Sequence, residues 1–484
     1  MKRNSAFIAV SCLFAVLLCQ VSQGQNDATK ADAATKLNSQ VEVLTRGPLH
    51  EAFATQFQTN ATAGVQVDKE PPQMIEEIPP AVRPAGAGVT WIPGYWGWDA
   101  EAKDFLWVSG TWRNAPPGHR WVPGYWNKSD AGFQWMSGFW LRGDVGQIKY
   151  YAAPPKSVER GPTSNAPGAN YFWVPGSFTP ARGKYAWQPG YWAPYQQNYL
   201  WTPARNVATA GGYVFTPGYW DYRFDQRGMV FAPVRVNGGA NANANIRFTP
   251  QAVIPANVLQ FHLFGQANSN TYLFGNYYDA RYANAGIRPW YTGQIVKGVP
   301  DPLFGYYNWL YSRNGSNYLD VLTKWNGHFV NNVNLRPALT LADQLNLAQT
   351  EQGAKNLANS LLATPLTDLV SRTPAGFVNV SAAESTNLLA AAGGLQALAT
   401  ERLKVEGGAA GILNVAGAAN SNIDLSTQSL PLPAVSLPAI PANTVPAVPS
   451  ELLKGVPDVV PNVVPDVEGV VPDLPGIDLP GLPF

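Results

Sequence analysis

The chain has 484 residues, 33 basic and 32 acidic, for a formal net charge of +1. That balance argues against a nucleic-acid partner, which is met by a basic face. Both cysteines, Cys12 and Cys19, lie in the first apolar stretch, so the chain beyond it has no disulfide, thiol nucleophile or cysteine-based metal site.

Met1–Gly24 reads as a secretory signal peptide: Lys2 and Arg3, an apolar run over Ala6–Cys19, then small residues up to Gly24. The run is shorter than the roughly 20 residues of a spanning helix, so no integral span is expected in the mature chain. Residues 25–87 are Ala-rich, then Pro-rich. They read as a flexible leader with at most a short helix near Ala31–Leu44. Glu76 and Glu77, between prolines, read as solvated linker charges rather than an acid/base pair.

From residue 88 one phrase recurs. Trp91-Ile-Pro-Gly-Tyr-Trp96 is followed by Trp107-Val-Ser-Gly-Thr-Trp112, Trp121-Val-Pro-Gly-Tyr-Trp126 and Trp135-Met-Ser-Gly-Phe-Trp140. It returns as Trp173-Val-Pro-Gly-Ser-Phe178, Trp187-Gln-Pro-Gly-Tyr-Trp192 and Phe215-Thr-Pro-Gly-Tyr-Trp220. Copies without the Gly start at Trp201 and Phe231. The steps are 16, 14 and 14 residues in the first array (88–140), and 14, 14, 14 and 16 in the second (171–236). A fixed short step means one small unit copied many times. A Pro-rich insertion, 141–170, separates the arrays.

Phe105, Phe133, Tyr171, Tyr185 and Tyr213 each stand two positions before the first Trp or Phe of a copy. That is strand spacing. Pro cannot donate to a ladder, and Gly is expected to supply a left-handed or bulged conformation. Two geometries follow. Either Pro-Gly is the turn of a hairpin made by each copy, or it is a bulge and each copy is one bent strand of an antiparallel meander. The polar segments Asp99–Asp104, Asn127–Gly132 and Ala181–Lys184 are expected to hold the connecting turns.

The pattern aromatic-x-Trp-x-x-Gly-x-Trp resembles the YXWGXW (WXXGXW) repeat family of exported bacterial proteins. It is carried by Phe105/Trp107/Gly110/Trp112, Phe133/Trp135/Gly138/Trp140 and Tyr185/Trp187/Gly190/Trp192, with Phe215 for Trp in Tyr213/Phe215/Gly218/Trp220. The resemblance covers residues 88–236 and implies export, but no chemistry.

Residues 237–337 stay aromatic and lose the short period. They read as a mixed globular unit that docks on the repeats, with Asp279, Arg281 and Asp301 among its polar groups. In 338–427, Thr340–Asp343 and Ser381–Glu384 are capping boxes that open helices, the second weakened by Gly393-Gly394. Residues 428–484 are a Pro/Val-rich, disordered tail. The fold class expected is mainly β: antiparallel repeat sheets of short bent strands or hairpins, a mixed region, a few helices and the tail.

No catalytic signature stands out. His50, His119, His262 and His328 show no metal-ligand spacing, and Asp99, Asp104, Asp144 and Glu159 are loop carboxylates. No cofactor or metal is expected. The repeat aromatics are either the hydrophobic layer of a sheet or an open row of rings formed by Tyr95, Trp96, Tyr125, Trp126, Tyr191, Trp192, Tyr219 and Trp220, with Arg113 or Arg205 as cation–π neighbours. The expected function is an exported, non-enzymatic cell-envelope scaffold whose ligand is cell-wall or matrix polysaccharide or an envelope protein. The alternative is a secreted hydrolase with its site in 246–337.

Overall fold

The computed structural model describes residues 40–86, 88–181, 184–240, 246–266, 269–292, 301–348, 361–408 and 428–432. The expected signal peptide and nearly all of the expected Pro-rich tail lie outside these residues.

Each copy of the phrase is a strand bent at its Pro-Gly or Ser-Gly, or at Pro-Ala and Pro-Val where the Gly is missing, and eight of the nine copies pair two by two into bent hairpins. In the first, Val89–Ile92 pairs with Thr111–Asn114, and Tyr95–Asp99 with Asp104–Val108. The second pairs His119–Val122 with Phe139–Arg142 and Tyr125–Ser129 with Gly132–Met136. The third pairs Tyr171–Val174 with Tyr191–Pro194 and Ser177–Ala181 with Lys184–Gln188. The fourth pairs Tyr199–Thr202 with Tyr219–Tyr222 and Arg205–Thr209 with Gly212–Thr216. The bend thus comes from one expected geometry and the hairpin from the other, with two copies to a hairpin. The turns fall in the polar segments, not at Pro-Gly.

This register places indole against indole. The second Trp of one copy faces the first Trp of its mate: Trp91 with Trp112, Trp96 with Trp107, Trp121 with Trp140, Trp126 with Trp135, Trp173 with Trp192 and Trp201 with Trp220. Ring centroids lie 5.1 to 5.5 Å apart at steep angles. The ring quadrupole favours this edge-to-face packing, at about 0.5–1.5 kcal/mol a pair beyond area burial.

The bend also lets one hairpin serve two sheets. The outer halves of the first hairpin join Gly228–Phe231, Ala252–Ile254 and Thr364–Pro365 in a five-stranded sheet. Its inner halves join Val234–Val236 and Val41–Val43 in a four-stranded one. The ninth copy, at Phe231, therefore lies as a third bent strand along the first hairpin.

Residues 40–86 are not a flexible leader. Val41–Val43 pairs with the ninth copy, Gly47–Pro48 with Leu273-Phe274, Gln66–Val67 with the second hairpin, and Val82–Pro84 with Phe377–Asn379. Leu49, Ala52 and Phe53 are buried. Where a helix near Ala31–Leu44 was expected, Val41–Val43 is a strand; its β-branched residues suit that pairing.

The mixed region holds the largest apolar cluster, which also takes in Leu49, Phe53, Leu200, Phe224 and Val230, so it docks on the repeats. Its helices are α1 (Ala256–Leu259), α2 (Ala280–Asn284), α3 (Pro302–Ser312) and α4 (Tyr318–Asn331). Then come α5 (Leu341–Ala348), α6 (Leu366–Arg372) and α7 (Ala382–Gly408). Both helix starts are capped: Thr340 and Asp343 bond reciprocally, whereas Ser381 Oγ accepts from the Glu384 N–H and the Glu384 carboxylate pairs with Arg83. Gly393-Gly394 does not break α7. The helix is held from outside, with Ala392 packed among the Trp91 cluster and Leu395 against Trp121 and Trp140. The start of the expected tail, Gln428–Pro431, is a strand on Gln147–Tyr150 of the insertion.

Candidate functional site

The bends explain the spacing Trp-x-x-Gly. A Cβ built on Gly110 would lie 2.4 Å from Cζ2 of Trp91, and on Gly138 2.3 Å from Cζ2 of Trp121. Gly124, Gly176, Gly190 and Gly218 meet the indoles of Trp135, Trp187, Trp173 and Trp201 at 2.4 to 2.5 Å. None of these glycines has a positive φ. The expectation that they supply a left-handed conformation is therefore corrected: they make room for the mate's first Trp. In the second and fourth hairpins a positive φ falls instead at the turns, on Gly132 and Gly212.

Room at the bend also exposes amide N–H groups beside an indole N–H, and a carboxylate fills the angle between them. Glu77 accepts from Gly94 N (2.7 Å), Gly110 N (2.8 Å) and Trp107 Nε1 (3.0 Å) in the first hairpin. Glu51 accepts from Trp135 Nε1 and Gly138 N, both at 2.9 Å, in the second. Glu159 accepts from Trp173 Nε1 at 3.2 Å and from Gly176 N in the third. Three glutamates from outside the arrays thus each hold one hairpin's bend. Burial pushes Glu77 up to about 7 against the pull of its three donors, and raises Glu51 as well.

Glu76 and Glu77 are therefore not a solvated pair. Glu76 faces Arg247 in solvent, while Glu77 points inward. The alternation of Ile75 and Glu77 inward with Glu76 outward was the available strand signal.

Other charged groups lock elements together. Arg113, fully buried, places one nitrogen 2.6 Å from both oxygens of Asp221, so the first hairpin is clamped to the fourth. Arg402 and Glu406 of α7 pair in a site with no solvent exposure, where Glu406 also accepts from Tyr125 and Tyr150. Arg402 donates to Pro123 O at the second hairpin's bend.

A cleft of about 420 Å³ lies between the third hairpin and α3. Tyr171, Trp173, Trp192, Tyr195 and Phe304 give it rings, and Asn308 and Asp301 its polar side chains. Tyr195 is fixed by a stack on Trp309 at 4.7 Å and by donating to Gly305 O. Asp301 caps α3, accepting from the N–H groups of Leu303 and Phe304. Burial raises its carboxyl to about 6. Asp301-Pro302, an N-cap residue before a first-turn Pro, was the sequence signal for this group.

Comparison with known families bears on the hairpins. Segments 86–113, 117–140, 168–193 and 212–225 match the WXXGXW repeat, a model of two copies. The hairpins are WXXGXW repeats. The two-copy model corresponds to one bent hairpin, and the two unmatched copies, at Trp201 and Phe231, are those with Ala204 and Val234 where the others have Gly. No curated protein and no solved structure matches the chain significantly.

The expected open row of rings is not formed by the WXXGXW hairpins. Trp96, Tyr125 and Tyr219 are buried; Tyr95, Trp126, Trp192 and Trp220 are half-buried; only Tyr191, at 55%, is exposed. Each second Trp is packed across its hairpin, and Tyr95, Tyr125 and Tyr219 before it are covered by the chain before residue 88, by α7 or by another hairpin, which Tyr191 is not. Tyr95, Trp96, Tyr125 and Trp126 do meet, in a second cleft of about 260 Å³ closed on one side by Leu395, Ala399 and Leu403 of α7. Arg113 stands over the Trp140 ring at 5.2 Å, while Arg205 bonds Thr55.

The remaining candidates are dispersed. Asp99 faces Arg235, Asp104 bonds Lys69 at 2.5 Å and Asp144 pairs with Arg142, so they form no carboxylate pair with Glu159. His50 donates from Nε2 to Pro93 O and accepts from Ala52 N at Nδ1, which fixes the neutral tautomer; burial lowers it to about 4. His119 stacks on Tyr219, His262 bonds Tyr278, and His328 lies near the end of α4. Among the described residues no group of three or more His, Cys, Asp or Glu side chains is disposed to hold a metal, and no helix is long and apolar enough to cross a membrane.

Proposed function

We propose that this is an exported, non-enzymatic cell-envelope protein that binds saccharide in ring-lined clefts held by its WXXGXW hairpins. The observation that carries the reading is the 420 Å³ cleft beside Trp192. It presents half-buried rings with one amide, Asn308, the combination that stacks on the C–H face of a sugar and orients its hydroxyls. The second cleft, between the first two hairpins, supplies a further set of rings, and two weak sites on one chain raise avidity. A hydrolase reading draws on the raised carboxyl of Asp301. Glycoside hydrolysis uses two carboxyl groups, however, and Asp301 is the one acid lining this cleft among the described residues and is committed to capping α3.

The test is retention of the full chain on immobilised wall and matrix polysaccharides. Wild-type protein is expected to be held by at least one of them. Trp192→Ala is expected to elute about tenfold more readily, the loss typical of a stacked ring, with its thermal transition still cooperative. Equal retention of both proteins, or none on any polysaccharide, would remove the saccharide reading.

A further inference from the structure

The fourth hairpin repeats the geometry of the other three without a glutamate. Its register is the same, Trp201 against Trp220. Gly218 lies beneath the indole of Trp201 as Gly190 lies beneath that of Trp173, each with a built Cβ 2.4 Å from Cζ2. That Cβ would also sit 3.2 Å from the amide nitrogen of Ala204, so the two bends face each other as in the first three hairpins. The copy at Phe215 has no indole, which leaves Trp201 as the hairpin's one first-position donor. Its Nε1 is buried and has no hydrogen-bond partner among the described residues. In the first hairpin Trp91 is also unbonded, but there Trp107 holds the carboxylate for the pair.

A second observation points the same way. Trp201 and Arg205 line one cavity of about 50 Å³. Arg205 donates to Thr55, and the wall carboxylate that feels its charge is Glu51, which is itself held at the second bend. The acids that share the cavity wall are engaged elsewhere: Glu51 at the second bend, Asp221 between Arg113 and Arg227, and Asp301 on α3. A volume of this size takes about three waters or one carboxylate group, and not a whole sugar ring.

We infer that the bend of the fourth hairpin is a binding site for the carboxylate of a small organic acid or an acidic sugar. The indole N–H of Trp201 binds one oxygen, as that of Trp173 binds Glu159 one hairpin earlier, and the guanidinium of Arg205 binds the other. A charge-assisted pair of this kind is both directional and strong. This does not depend on the saccharide reading of the large cleft.

The experiment follows the indole N–H resonances of the 15N-labelled full chain, with Trp201 assigned by Trp201→Phe. Sodium acetate and sodium glucuronate are titrated at ionic strength held constant with chloride. Saturable movement of the Trp201 resonance, about tenfold weaker in Arg205→Gln, is the result expected. Response to acetate alone assigns the site to small acids, and response to glucuronate also admits uronic acid residues. If Trp201→Phe does not fold, the resonance lost to broadening by a spin-labelled carboxylate in wild type but not in Arg205→Gln identifies it. No movement with either acid, movement that Arg205→Gln leaves unchanged, or equal movement in chloride alone would overturn the site.

Discussion

The first and third hairpins are written with the same phrase and end in different surroundings. In the first, Trp91, Trp96, Trp107 and Trp112 are all 2% exposed or less. In the third, Phe178, Trp187 and Trp192 stay half-buried and Tyr191 is open to solvent. Register, bend and ring pairing are nonetheless the same. The phrase therefore specifies the hairpin, and other segments decide whether it becomes core or surface. The first hairpin is covered by the chain before residue 88, by α7 and by the ninth copy; the third meets α3 along one side.

The comparison can be broken most sharply at the bend glycines. Gly110→Ala drives a Cβ into Trp91, and also to 2.7 Å from Ile92 O and Glu77 Oε2, in a region with no slack. A loss of about 3 kcal/mol is expected, the upper end for overpacking. Gly190→Ala meets Trp173 at the same 2.4 Å and Val174 O at 2.8 Å, but Gly190, Trp187 and Trp192 are half-buried and the hairpin can yield toward solvent, so about 1 kcal/mol is expected. Urea midpoints of the two variants test this. Equal losses would mean that the clash alone decides, and that cover is irrelevant.

The carboxylates sharpen the same contrast. Glu77→Ala leaves three buried N–H groups without an acceptor and is expected to cost about 3 kcal/mol. Glu159→Ala opens a half-buried site that water reaches, for about 1 kcal/mol. pH separates the first from a packing defect. Burial raises Glu77 from 4.5 to about 7 in the folded chain. Between those values the folded protein keeps a proton that the unfolded chain has released. The stabilisation is therefore complete below pH 4.5 and is lost as pH rises through 7. Measured by denaturant titration, the stability of wild type relative to Glu77→Gln should fall across that window; a flat difference would show that burial does not perturb the group.

What the sequence disclosed was whatever is local. Strand spacing, the turns at Asp99–Asp104 and Asn127–Gly132, and the caps at Thr340 and Ser381 all act within a few residues of themselves. What it concealed was cover. Val41–Val43 pairs with residues almost 200 positions away, and Glu51 bonds Trp135 and Gly138. No local pattern marks an acid in a Pro-rich stretch as the acceptor for a distant indole. The role of the glycine was hidden for the same reason. It answers to the first Trp of the mate, and the mate is known only once copies are seen to pair by twos. That pairing also accounts for Ala204: by the hairpin's symmetry the residue it faces is Phe215, whose single ring leaves space that a Trp would fill.

The smallest expected effect is the most discriminating about the ring row. Tyr95 and Tyr191 hold the same place in the phrase. Tyr95 stacks on Trp135 at 4.7 Å and its hydroxyl accepts from the Glu51 N–H, so Tyr95→Ala is expected to cost about 3 kcal/mol. Tyr191→Ala removes an exposed ring and should shift the urea midpoint by no more than about 0.5 kcal/mol in stability. A ring that solvates freely at no gain in stability is the kind kept for contact with something else. If Tyr191→Ala instead destabilises as Tyr95→Ala does, the third hairpin is covered in solution by a segment or partner, and its exposure cannot be used to argue for binding.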